Sequence, residues 1–74
     1  MTTRAAEKKR RRELLRAMKP IKGFVRTINR CNDCGHLFGR QYIPHSLGIG
    51  MSLDLCGCQM TAHRPFTLVT RRAP

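Results

Sequence analysis

Two close cysteine pairs, Cys31-Asn32-Asp33-Cys34 and Cys56-Gly57-Cys58, constrain this chain more than any other feature. With 74 residues, no Trp, one Tyr (Tyr42) and three Phe (Phe24, Phe38 and Phe66), a core of apolar side chains alone is too small to hold a fold. A staple is required, and the cysteines supply it. The basic N-terminal stretch runs into Pro20 and Lys22 rather than into an apolar segment, unlike a secretory signal. The uncharged run 41–53 is too short and too polar to cross a bilayer. The expected setting is therefore soluble, cytoplasmic and reducing, where close cysteines act as metal ligands rather than as disulfides. A secreted cationic peptide with two disulfides is the competing reading.

In the first pair, two thiolates separated by two residues can chelate one ion while the following amides turn back toward the sulfurs, and Gly35 permits the turn. The second pair is one residue tighter. On an extended strand its sulfurs would lie too far apart for a tetrahedral site, whose edge is about 3.7 Å for Zn–S bonds of about 2.3 Å. Gly57 gives the backbone freedom to fold that pair inward. The expected ligands are Cys31, Cys34, Cys56 and Cys58 on one Zn2+, a closed and hence structural site. Substitution of one cysteine by His36 or His63, or no metal at all, remains open at this point.

Periodicity divides the chain into a helical arm, residues 1–22, and a body of short strands, residues 23–74. The arm contains good helix formers and no Gly or Pro before Pro20. On a helical wheel Lys8, Arg12, Arg16 and Lys19 share one side, beside a narrow apolar arc of Leu14, Leu15 and Met18. Only the end from Leu14 to Met18 is expected to dock, with the first dozen residues partly disordered when free, and deleting residues 1–19 is the expected test of the arm, leaving the body folded. Strands are expected at 24–30, 37–43, 51–55 and 66–71, with a loop at 43–50. Segment 51–55 alternates most cleanly, whereas 24–30 puts Arg26 and Arg30 on the same face as Phe24 and Ile28 and so lacks a distinct apolar face.

The pattern Cys-x-x-Cys-Gly-His, a hairpin, a second cysteine pair and a closing strand resembles the zinc-ribbon superfamily over residues 24–70. That resemblance implies a small metal-stabilised β fold, with two short antiparallel hairpins over a structural zinc, here preceded by one basic α-helix. The arm is similar to the arginine-rich RNA-binding helices of phage antitermination proteins, with Arg4, Lys8, Arg11, Arg12 and Arg16 in comparable alternation. This likeness implies an RNA hairpin target and a role at RNA polymerase. A basic tail ahead of a zinc ribbon also looks like the layout of small ribosomal proteins.

Charge points the same way. Fifteen Lys and Arg face four Asp and Glu, a net +11, and arginine is the majority cation. Such imbalance suits a polyanionic partner, and the guanidinium fork suits phosphate and guanine. The expected nucleic-acid contacts are Arg4, Lys8, Lys9, Arg10, Arg11, Arg12, Arg16, Lys19, Lys22 and Arg40. Phe38, Arg40 and Tyr42 would share a strand face able to stack on unpaired bases, although in so small a domain Phe38 and Tyr42 also serve as core. Two Asp, two Glu and three scattered His assemble no catalytic constellation, so neither an enzyme nor a small-molecule substrate is expected. The expected function is a regulator that binds RNA or DNA. The alternatives are a module that clamps an acidic surface of a large enzyme such as RNA polymerase, and a structural ribosomal protein.

Overall fold

Residues rich in Ala, Leu, Arg and Lys form helix α1 (Arg4–Ala17), with Glu7 in its first turn and Arg16 in its last, the order that suits the helix dipole. The computed structural model describes residues 4–45 and 50–72. After α1 come β1 (Val25–Cys31), β2 (Leu37–Tyr42), β3 (Gly50–Leu53), α2 (Gly57–Ala62) and β4 (Phe66–Arg72). The four strands make one antiparallel sheet in the order β3-β2-β1-β4. The expected basic helix and antiparallel strands are present, but as one sheet in which β2 pairs with both β1 and β3, and β4 joins the far side of β1. Of the expected loop, residues 46–49 lie outside the described residues. No described helix is long and apolar enough to cross a membrane.

One face of the sheet lies under α1. Leu14, Met18, Ile28 and Leu37 form its core, with Leu15 and Val69 packed against them. Gly39 leaves room there for Met18, whose Sδ and Cε atoms would lie 2.7 Å from a Cβ and would have to move aside for any larger residue. In β4 the pairing steps from Asn29↔Leu68 to Ile28↔Thr70, leaving Val69 as a bulge. Val69 then meets the core, and Thr70 accepts a hydrogen bond from Arg11 Nη1 at 3.3 Å.

The arginines that blurred the faces of β1 in the sequence turn out to anchor the helix. Arg26 Nη1 donates to the carbonyls of Leu15 (3.2 Å) and Met18 (2.9 Å), groups left unpaired at a helix end. Arg30 pairs with Glu7 in the first turn. Arg10 pairs with Asp54 beyond β3. Docking therefore reaches from Glu7 to Met18, well beyond the Leu14 to Met18 end expected. Leu14 and Met18 of α1 share one core with Ile28 of β1 and Leu37 of β2. Leu14 is only 2% exposed, and Leu14→Ala should lower stability by about 3 kcal/mol, measured by urea denaturation.

The strand with the cleanest alternation is the most exposed. Within β3, Met51 is 56% and Leu53 36% exposed, because α1 crosses β1 and β2 and leaves this edge uncovered. β3 also stops at Leu53 rather than running to Leu55, since Asp54 takes a left-handed conformation (φ 63°) that ends the strand.

Candidate metal centre

The first cysteine pair sits in the turn between β1 and β2. Cys31 closes β1 with its side chain fully buried, while Cys34 is exposed. Gly35, at φ 76°, donates its amide to the Cys31 carbonyl at 2.8 Å, and the Cys31 amide bonds the His36 carbonyl at 3.0 Å. This tight turn points the amides of Asp33 and Cys34 at the Cys31 sulfur and that of His36 at the Cys34 sulfur.

The second pair solves its short spacing with a helix that the sequence did not reveal. Cys56 is the N-cap of α2 in an extended conformation (φ −79°, ψ 166°), and Cys58 lies within the first turn. The chain thus bends at Gly57 from extended to helical, and the two sulfurs converge instead of diverging along a strand. α2 spans six residues and includes Gly57 and Thr61, too short and too weak in propensity to give a helical period. Buried Gln59 holds it to the sheet, donating to the Cys31 sulfur at 3.6 Å and to the Arg64 carbonyl.

All four sulfurs lie within 4.8 Å of one another, a spread from which a modest contraction reaches the tetrahedral edge of about 3.7 Å. Among the described residues, the four cysteines are the group close enough together to hold one metal ion; the histidines stay outside it. His36 Nε2 faces the Asp54 carbonyl at 3.0 Å and its carboxylate at 3.3 Å, two acceptors that require this nitrogen to carry the proton. His63 caps the C-terminus of α2 in a left-handed conformation.

The sulfurs share their electrostatics. Amide donation from Cys34, against the cost of burial and with help from Gln59, Asp33 and Cys56, lowers the Cys31 thiol to about 6. The His36 amide favours the Cys34 thiolate, but contact with Cys56, desolvation and the neighbouring Cys31 and Cys58 outweigh it and push Cys34 up to about 12. Cys58 is helped by Cys34, yet desolvation and the charges of Cys31 and Cys56 raise it. Crowded thiolates repel, and a dication held by these four cysteines would relieve that repulsion and displace the protons of Cys34 and Cys58. Because binding releases at least these two protons at neutral pH, metal affinity must rise with pH. The apparent affinity should rise by at least about 100-fold per pH unit near pH 7 and more steeply below pH 6, where Cys31 also protonates; competition with a chromophoric chelator would measure it.

The basic residues separate into two groups. Arg10 is held by Asp54 and Glu13, and Arg11 by Thr70. Arg4, Lys8, Lys9, Arg12, Arg16, Lys19 and Lys22 are exposed and form no ion pair among the described residues. Arg40 lies on the opposite face of the sheet, 5.1 Å from the Tyr42 ring centre and 5.2 Å from that of Phe66. Sequence reasoning missed Phe66 and Arg71, which join Arg40 on that face through strand pairings to Cys31 and Thr27. A comparison with protein-family models, curated proteins and solved structures finds no match to this chain, so the cysteine cluster and the charge layout carry its functional reading.

Proposed function

We propose that this chain is a non-enzymatic, zinc-stabilised nucleic-acid-binding regulator. Four thiolates prefer a soft tetrahedral metal such as zinc, and a complete thiolate set leaves no open position for water or substrate, so the ion is structural. The cysteine site fastens the end of β1 to α2 and completes the body on which α1 is displayed.

The observation that carries the nucleic-acid reading is where the acids go. Glu7 pairs with Arg30, Glu13 with Arg10, Asp33 with Arg64, and Asp54 with Arg10 and His36. All four Asp and Glu side chains of the chain thus have a cationic partner within the fold. The outward face of α1, with Lys8, Arg12 and Arg16, has no internal counterion and suits a row of phosphates. Binding of the zinc-loaded protein to RNA and to duplex DNA, from low to moderate salt, tests this. A steep loss of affinity with salt is expected, and a flat response would overturn it. Recovery of a stoichiometric acidic protein after nuclease treatment would instead favour a protein partner such as RNA polymerase.

A further inference from the structure

The sheet has a second face, which α1 does not touch. Directly paired residues in an antiparallel sheet point to the same side. The pairings Arg40↔Ser52, Thr27↔Arg40 and Thr27↔Arg71 therefore set Ser52, Arg40, Thr27 and Arg71 in one cross-strand row on this face. Tyr42 flanks Arg40 on one side and Phe66 on the other, each ring within 5.2 Å of the guanidinium carbon. Phe38 is 1% exposed and props Phe66 from beneath, edge to face at 5.5 Å and 80°. Phe38 is thus core, while Phe66 stands 40% exposed above it, and Leu68 beside it is 53% exposed. A hollow of about 270 Å³ opens between Arg40, Phe66, Ser52 and His63.

Neither Arg40 nor Arg71 has an anionic partner among the described residues. Rings left partly in water beside guanidinium groups without anionic partners have a ligand chemistry: flat, π-rich groups joined by anions. The geometry points to a base-stacking site for single-stranded nucleic acid on this open face, in which Phe66 and Tyr42 take unpaired bases and Arg40 and Arg71 take the intervening phosphates. This deepens the nucleic-acid reading and rests on it. It also divides the labour of the two faces. The outward surface of α1 presents chiefly charge and accepts any phosphate backbone, paired or not. The open face accepts only a strand whose bases are free to leave their own stack.

The chain carries a single tyrosine and no tryptophan, so Tyr42 is the sole strong intrinsic fluorophore and reports stacking directly. The zinc-loaded, full-length protein is titrated with a single-stranded oligonucleotide, with the same strand made abasic, and with its duplex. The intact strand should quench Tyr42 emission and bind at least about tenfold more tightly than the abasic strand, which offers the same phosphates without bases. Phe66→Leu, which keeps apolar bulk but loses the ring, should cost about tenfold for the single strand and leave duplex affinity unchanged. Arg40→Gln gives a second test at the same site, and metal content with melting behaviour checks that both variants fold. Equal affinity for intact and abasic strands with unquenched Tyr42, or unchanged affinity in both variants, would overturn the stacking site while leaving the helix reading intact. Absence of salt-dependent binding to every nucleic acid would overturn both.

Discussion

Chelating the metal from the reduced protein is expected to abolish its cooperative thermal melt. Zinc binding to four thiolates contributes about 10–16 kcal/mol in small domains, as much as or more than the whole net stability of a typical domain, about 5–15 kcal/mol. This body has little to fall back on. Its buried apolar side chains are few, and Leu14, Met18, Ile28 and Leu37 lie on the α1 side of the sheet, away from α2. Besides the sulfurs, what fastens the α2 end among the described residues is chiefly Gln59, the pairing of Asp33 with Arg64 and the backbone bond from Asn32 to Pro65. Cys34→Ser and Cys58→Ser should each weaken metal binding by orders of magnitude and yield a chain that unfolds near room temperature, followed by circular dichroism. Cobalt in place of zinc should give the visible absorption of a tetrahedral thiolate centre. A reduced, metal-free chain that still melts cooperatively would remove the structural role of the site.

The second large effect is expected from the outward face of α1. Lys8, Arg12 and Arg16 are exposed and meet no carboxylate. Replacing all three by Gln keeps helix propensity and leaves the docked residues Glu7, Arg10, Leu14 and Met18 untouched. If each contacts one phosphate, the slope of log affinity against log salt should fall by about 3. At low salt, affinity should drop by more than about tenfold with no change in melting temperature. Arg10→Gln should do the reverse, with little effect on the salt slope but a loss of stability, because Arg10 joins α1 to Asp54. An unchanged slope in the triple variant would place the phosphate contacts elsewhere. Deleting residues 1–19, which the sequence alone suggested as the test, is uninformative, since it also strips Leu14 and Met18 from the core.

The differences between sequence expectation and structure have a common cause. Strands at 24–30, 37–43 and 66–71 were placed to within a residue or so, because β-branched and aromatic runs bounded by turn residues carry their own signal. α2 was missed because its formation depends on Gln59 and on Cys56 and Cys58 meeting the first pair, contacts remote in sequence. Arg26 and Arg30 looked like misplaced charges on β1 because their partners, the Leu15 and Met18 carbonyls and Glu7, lie across a chain reversal. Phe38 and Tyr42 were correctly set on one face with Arg40, but strand alternation cannot tell which ring is covered and which is open.

Taken by itself, the sequence determined the two cysteine pairs, the basic helix and most of the strands, since each follows from residue types a few positions apart, where spacing fixes geometry. Only the tertiary structure decided how the cations divide. Whether an arginine closes a helix end, neutralises a carboxylate 44 positions away as Arg10 does, or stands free between two rings as Arg40 does depends on which groups the fold brings beside it. Coulomb interaction and hydrogen bonding act over a few ångströms of space, and distance along the chain does not enter.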